Sequence, residues 1–116
     1  MTPEQLRLEA TRAWFDRARH DLRSAKLLIA GEEYAEALFH CQQAAEKAVK
    51  GFLTFHQRPF AKTHDLSELS PDCLAIDGSL APVLMEADVL TQYAWRFRYP
   101  GAPYEPGAAE AAEGQG

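Results

Sequence analysis

The strongest pattern in the chain is an apolar stripe between residues 34 and 52. Apolar side chains recur there every three or four positions, which is the repeat of a helix with one buried face. The stripe comprises Tyr34, Ala37, Leu38, Cys41, Ala44, Ala45, Ala48 and Phe52. A turn of roughly 100° per residue places the polar residues on the remaining surface, namely Gln42, Gln43, Glu46, Lys47 and Lys50. We therefore predict a helix from about residue 32 to about residue 57, with a polar surface that pairs with another group.

A second amphipathic pattern covers the first thirty residues. Thr2 and Gln5 have the spacing of a capping box, and Pro3 suits the first position of a helix. The apolar stripe of this helix comprises Leu6, Ala10, Trp14, Ala18, Leu22, Ala25 and Ile29. Gly31 is predicted to end it. Because only a few residues separate the two helices, they should pack as an antiparallel pair.

The rest of the chain predicts one further long helix after an irregular region. Pro59, Pro71 and Gly78 interrupt residues 58–78. Within that region Thr63 is expected to cap a short helix that carries His64, and Ser70–Pro71 is expected to begin another single turn.

The further long helix is predicted to begin at Asp77 or Ser79, with Pro82 in its first turn, and to end at Tyr99–Gly101. Its core stripe comprises Leu80, Val83, Leu84, Ala87, Leu90 and Ala94. We therefore expect an all-α fold: an up-and-down helical bundle of three long helices and one or two short ones, within residues 1–100. Residues 101–116 hold Pro, Gly, Ala and Glu without a pattern, which predicts a disordered C-terminal tail.

Composition adds little to this interpretation. The 116 residues suit one domain, and the net charge of −5 falls partly in the tail, because residues 1–100 hold 14 acidic and 12 basic side chains. That balance neither requires nor excludes nucleic acid. Cys41 and Cys73 do not form a disulfide framework, no secretory leader opens the chain, and no apolar run could cross a bilayer. We expect a cytoplasmic protein.

Asp21 is an unusual residue because its position falls in the apolar stripe of the first helix, beside Trp14 and Ala25. A carboxylate there must be paired, hydrogen-bonded or at the mouth of a cleft. Lys47, Arg98 or a neighbouring hydroxyl are the candidate partners. A structural ion pair and a site carboxylate both remain open.

Several cations have two possible roles. Lys47 and Lys50 suit a phosphate site, or Lys50 simply pairs with Glu46 four residues earlier. A basic face on the first helix is either solvated or contacts phosphate; it comprises Arg12, Arg19, Arg23 and Lys26. The run from Trp95 to Pro100 alternates aromatic rings with arginines at a helix C-terminus. It therefore suits either capping or recognition of phosphate and base by Arg96, Arg98 and Tyr99.

His64 is a candidate site residue, although a single histidine is also a common capping or packing residue. No second His or Cys stands at ligand spacing, so neither a metal nor a cofactor is predicted. Nothing resembles a glycine-rich phosphate loop or a Ser/His/Asp arrangement.

Taken together, these pieces resemble the HEPN family, the "higher eukaryotes and prokaryotes nucleotide-binding" domain, over residues 10–100. The segments that carry the resemblance are Asp21–Leu22 with Ala25, Gln42 to Ala48 with Lys50, His64–Asp65–Leu66, and Tyr93 with Arg98–Tyr99–Pro100. The resemblance implies an all-α bundle that dimerises. Small members of this kind are often partnered by a minimal nucleotidyltransferase. Many members are metal-independent ribonucleases whose active site is an Arg, then four to six residues, then a His, at a dimer cleft.

The chain departs from that ribonuclease pattern. Neither Arg96 nor Arg98 is followed by a histidine. The only formal match is Arg58 to His64, in a segment that starts with Pro59 and is predicted to be a loop. A histidine at the right place would be needed as general acid or base.

Three hypotheses follow. The first is a dimerising module that binds a nucleotide or RNA and partners a minimal nucleotidyltransferase, through a site comprising Asp21, Lys47, Lys50, His64, Arg96, Arg98 and Tyr99. The second is a metal-independent ribonuclease toxin of a toxin–antitoxin pair that uses Arg58 and His64. The third is a ligand-free oligomerising adaptor. Self-association is expected under all three, because some apolar residues lie away from the main stripes, namely Phe39, Val49, Leu53, Met85 and Val89.

Overall fold

The computed structural model describes residues 1–98, apart from the side chains of Tyr93, Trp95, Phe97 and Arg98. Over this range the chain is helical and contains no strand, so the predicted all-α fold is confirmed. The elements are α1 (Pro3–Ala30), α2 (Tyr34–Phe55), α3 (Leu66–Ile76), a 3₁₀ turn (Gly78–Leu80) and α4 (Ala81–Arg98).

The predicted limits of α1 are confirmed. Thr2 Oγ1 accepts a hydrogen bond from the Gln5 amide at 3.1 Å, and Gln5 Oε1 accepts from the Thr2 amide at 2.8 Å, which completes a capping box. Gly31 follows the last helical residue and donates its N–H to the Leu27 carbonyl at 3.1 Å. Glu32 then takes a left-handed conformation with φ 60°, which helps the chain to reverse within three residues.

α1 and α2 form the predicted antiparallel pair. Gly51 of α2 faces the middle of α1, where a Cβ atom would lie 3.1 Å from Trp14 Cβ and 3.2 Å from the Phe15 ring. The absence of a side chain at Gly51 therefore lets the two helices approach closely.

The buried face of α1 differs from the predicted stripe. Leu6, Ala10, Leu22 and Ile29 are exposed. The buried residues are Thr11, Ala18, Asp21 and Ala25, with Trp14 half-buried among them. Their alternating spacing of three and four residues is that of a seam between two helices. Because α1 packs mainly against α2 alone, only this narrow seam is covered, and the apolar residues beside it stay in water.

α2 lies in the middle of the described fold and contacts each of α1, α3 and α4. The polar surface predicted on α2 is paired, as expected: Gln42 and Lys50 contact Glu46, and all three residues are buried one turn apart. The expectation that Leu53 lies away from the core is wrong, because Leu53 is fully buried in contact with α3 and α4 residues. Tyr34, predicted to be in the core stripe, is exposed.

The region after α2 contains one helix where two short turns were expected. Asp65, and not Thr63, caps α3: its Oδ1 accepts from the Ser67 amide at 3.0 Å, while Thr63 Oγ1 accepts from the Asp65 amide at 3.0 Å. His64 therefore lies in the loop before α3. Pro71 lies inside α3, where a proline costs about 3 kcal/mol. Burial of α3 side chains on both sides of Pro71 outweighs that cost, and those side chains are Leu66, Leu69 and Cys73.

α4 begins at Ala81, later than the predicted start at Asp77 or Ser79, because a 3₁₀ turn precedes it. Asp77 Oδ1 accepts from the Ser79 amide at 3.0 Å and thereby caps the 3₁₀ turn, and Pro82 falls in the first turn of α4. Val83, predicted to be in the core stripe, is exposed. The predicted end of this helix at Tyr99–Gly101 and the predicted tail of residues 101–116 lie outside the described residues.

The core is formed by Leu53, Leu69, Cys73 and Leu84, where α2, α3 and α4 meet. Within residues 1–98, none of the helices combines the length and hydropathy that crossing a bilayer would require.

Candidate functional site

Asp21 joins α1 to α2 through two side chains of α2. Its Oδ2 accepts a hydrogen bond from Lys47 Nζ, and its Oδ1 lies 2.9 Å from His40 Nδ1. Because a carboxylate only accepts, His40 Nδ1 carries the proton in this contact. Of the three candidate partners of Asp21, the structure therefore shows Lys47, whereas His40 was not predicted.

This environment keeps Asp21 ionised. Burial by itself would raise the pKa of Asp21, since its side chain is only 11% exposed. The hydrogen bonds from Lys47 and His40, together with their charges, outweigh burial and lower that pKa below its usual value. Asp21 thus holds the Lys47 ammonium in one position at the surface between α1 and α2.

A shallow cleft opens at this position. It has a volume of about 330 Å³, and its walls are formed by Asp16, Arg17, His20, Asp21, Arg23 and Lys47. We call these residues the basic cleft, because three cations outnumber two carboxylates. Asp16 is also paired at 2.9 Å with Arg19, which lies outside the cleft.

Two contacts orient the α1 wall of the basic cleft. Arg23 Nη2 lies 2.8 Å from His20 Nδ1, and a guanidinium can only donate, so His20 Nδ1 accepts in this contact. The Arg17 guanidinium carbon lies 5.6 Å from the centroid of the Trp14 ring, within the range of a cation–π contact. Guanidinium, imidazole and ammonium groups therefore line one open cleft, and these are groups that bind phosphate.

A second polar cluster surrounds Glu46, which is 2% exposed. Its Oε1 accepts from Lys50 Nζ at 2.9 Å and lies 3.0 Å from His64 Nδ1. Its Oε2 is 3.4 Å from the side-chain amides of Gln42 and Gln43. We call these five residues the Glu46 cluster.

The Lys50 ammonium is enclosed within the Glu46 cluster. The Lys50 side chain is 8% exposed, and its Nζ lies 5.5 Å from the Trp14 ring centroid. A carboxylate and an aromatic face thus already surround this cation, whereas the His64 side chain is 51% exposed. The Glu46 cluster ties α2 to the loop before α3 and reaches α1 through Trp14.

The predicted site residues therefore fall into separate groups. Asp21 and Lys47 meet in the basic cleft, and Lys50 and His64 meet through Glu46. Arg96 is exposed on α4. The Arg98 side chain and Tyr99 lie outside the described residues.

Sequence reasoning missed His40, the burial of Glu46 and its contact with His64, although it offered the pair of Lys50 with Glu46 as one alternative. His40 stands two helical turns before Lys47, which puts both on one face of α2, so this spacing was an available signal. Arg17 stands one turn before Asp21 on α1, and the same reasoning would have placed it at the cleft. No local pattern shows that Glu46 becomes buried, because the loop that covers it comes much later in the chain.

Arg58 and His64, the formal match to the ribonuclease spacing, each contact a different carboxylate. Arg58 Nη2 pairs with Asp72 Oδ1 at 3.0 Å, and His64 contacts Glu46. In the part of the chain that the structure describes, no three His, Cys, Asp or Glu side chains converge as metal ligands would.

Comparison with known proteins agrees with the helical fold and with the resemblance in the sequence. Neither curated proteins nor solved structures gave a match to this chain. The family model described as HEPN domain matches residues 11–114, which includes both the basic cleft and the Glu46 cluster. The chain therefore belongs to the HEPN domain family and is, in general terms, a nucleotide- or RNA-related module.

Proposed function

We propose that this protein binds the phosphate group of a nucleotide or of RNA in the basic cleft. The observation that carries the proposal is the convergence of Arg17, Arg23 and Lys47 on one cavity of about 330 Å³. Asp21 takes one of the three donors of the Lys47 ammonium, which leaves the others for a ligand. Hydrogen bonds between ionised partners contribute about 1.5–3 kcal/mol each, so two such contacts correspond to a Kd between several millimolar and tens of micromolar.

The remaining predicted residues have different roles in this proposal. Lys50 and His64 position α2 and the following loop through Glu46, and Lys50 does not contact the ligand because Glu46 and Trp14 enclose it. Arg96, Arg98 and Tyr99 remain candidates for further contacts with phosphate and base, on the basis of the sequence.

Binding to a labelled nucleotide tests the proposal. Fluorescence polarisation would be measured with labelled ATP and with a short labelled RNA. Wild type is compared with Arg23→Gln, Lys47→Gln and the double variant. Each lost cation should weaken binding roughly tenfold, which corresponds to about 1.4 kcal/mol. The matched control is Lys62→Gln, since Lys62 is an exposed lysine in the loop after α2. Equal binding by wild type and the double variant, with both folded by circular dichroism, would refute the proposal.

We also propose that the protein dimerises, as HEPN domains commonly do. Met85 and Val89 support this, because they are exposed and lie one turn apart on the same side of α4. Analytical ultracentrifugation should show a dimer that Met85→Glu/Val89→Glu converts to a monomer. A wild type that stays monomeric at high micromolar concentration would exclude dimerisation.

The proposed partner is a minimal nucleotidyltransferase in the cytoplasm. The two described cysteines are free thiols, which is consistent with a reducing compartment. Co-expression of this chain with a nucleotidyltransferase encoded next to it should give a complex that co-purifies at 0.1 M salt or above. A nucleotidyltransferase that elutes separately under those conditions would argue against this partner.

A further inference from the structure

The outer face of α1 carries a row of four cations, three of which lie outside the basic cleft. They are Arg12, Arg19, Arg23 and Lys26, and all four are exposed. Successive turns of about 100° per residue place them within an arc of about 60°. At 1.5 Å per residue the row is about 21 Å long. We call it the α1 strip.

Arg23 belongs to both the α1 strip and the basic cleft. From Arg23 the positive surface passes around the side of α1 to His20 and reaches Lys47 of α2. The two features are therefore one continuous surface, open along α1 and recessed at one end. A mononucleotide would contact only the recessed end. Only a longer anion could contact the basic cleft and the α1 strip at the same time.

We propose that the α1 strip and the basic cleft form one track for the backbone of a single-stranded nucleic acid. This inference rests on the proposed function, because it assumes that the basic cleft takes one of the phosphates. At the rise of 3.4 Å per nucleotide of a stacked strand, 21 Å corresponds to about six nucleotides. The occupant is single-stranded because a flexible strand can turn one nucleotide into the basic cleft, whereas a closed duplex holds its nucleotides in the helix.

Asp16 lies beside the track and affects how tightly the track binds nucleic acid. Asp16 pairs with Arg19, but their side chains are 73% and 66% exposed. Such a surface pair is worth only about 0–1 kcal/mol, so a polyanion can displace Asp16 from Arg19. The net charge of −5 opposes nucleic acid at long range, and binding should therefore be weak and sensitive to salt.

The decisive experiment separates the α1 strip from the basic cleft. The triple variant Arg12→Gln/Arg19→Gln/Lys26→Gln leaves all residues of the basic cleft in place. It should weaken binding of a labelled ten-nucleotide single-stranded RNA at least tenfold and leave ATP binding within twofold of wild type. The slope of log affinity against log salt concentration should fall in magnitude by about 2, because each lost phosphate contact on a single strand removes roughly 0.7.

An opposite change provides a further check. Asp16→Asn should raise affinity for the RNA, and the matched control is Glu68→Gln, which removes an exposed acid on α3 and alters net charge equally. Because Asp16 also lines the basic cleft, the track is supported by a gain in RNA affinity for Asp16→Asn that exceeds both the gain of Glu68→Gln and the gain of Asp16→Asn in ATP affinity. Equal gains in RNA affinity for the two variants would mean that affinity depends only on net charge, and this result would overturn the proposed track.

The ligand series identifies what the track binds. Single-stranded RNA and single-stranded DNA of one sequence share the backbone, so binding of either supports the proposal, and a preference for RNA assigns contacts to the 2′-hydroxyl. Duplex RNA that binds as tightly as the single strand would overturn it. So would a triple variant with undiminished RNA affinity. If ATP binding still depends on Arg23 and Lys47 in that case, the proposed function stands and only the track fails.

Discussion

Replacing Lys50 with methionine should destabilise the fold by about 3–5 kcal/mol. Methionine keeps most of the apolar volume beside Trp14 but removes the ammonium from Glu46, which stays buried at 2% exposure. Removing one partner of a buried ion pair costs about 3–5 kcal/mol because it leaves an uncompensated charge in the interior. Loss of the cation–π contact between Lys50 and Trp14 adds about 0.5–2 kcal/mol.

Urea unfolding followed by circular dichroism measures this loss as a shift in midpoint at unchanged slope. The matched control is Arg19→Met, which breaks an exposed ion pair with Asp16 and should cost at most about 1 kcal/mol. The double variant Glu46→Met/Lys50→Met removes both charges together. It should be more stable than Lys50→Met alone, because an apolar pair of similar volume replaces a buried ion pair at little net cost.

Two results would refute this reasoning. One is a Lys50→Met variant that loses no more stability than Arg19→Met, which would mean that water reaches Glu46. The other is a double variant whose loss equals the sum of the single losses, which would mean that Glu46 and Lys50 do not interact.

Three further predictions concern packing, pH and thiol reactivity. Gly51→Val should destabilise the fold by about 1–3 kcal/mol in urea unfolding, because its side chain would push α1 away, whereas Gly78→Ala meets nothing within 4 Å and should be within about 0.5 kcal/mol of wild type. Burial alone would raise the pKa of Asp21, but its hydrogen bonds lower that pKa below 3.8. The stability difference between wild type and Asp21→Asn should therefore stay constant above about pH 5 and shrink as pH falls from there through the lowered pKa of the folded state, and a constant difference down to about pH 2.5 would contradict this. Burial raises the pKa of the Cys73 thiol, so iodoacetamide should label the partly exposed Cys41 first in the native protein and both equally in urea, as read by peptide mass spectrometry.

The sequence predicted the parts of the fold that depend on neighbouring residues. The capping box of Thr2 and Gln5, the end of α1 at Gly31 and the antiparallel pair follow from local chemistry and a short connection. Pairing of Asp21 with Lys47 was predictable because a carboxylate in an apolar seam must find a cation across the helix interface.

The Glu46 cluster and α3 could not be predicted in the same way. Helical periodicity identifies the face with the most apolar side chains, but Gln42, Glu46 and Lys50 are buried because they satisfy one another's charges and hydrogen bonds. The contact of Glu46 with His64 contributes to their burial, and His64 lies in a loop 18 residues after Glu46. In the sequence Pro71 predicts the end of a helix. Only the tertiary burial of the residues around it shows that α3 continues through this proline.

The central place of α2 also determines which changes in chain length the domain tolerates. A single residue inserted in the middle of α2 rotates everything beyond it by roughly 100°. That rotation would misalign α2 with α1 and with the α3–α4 side at the same time, because opposite flanks of α2 are both occupied. The loop of residues 56–65 lies outside the helices, so extra residues inserted before Thr63 leave both sets of contacts in register.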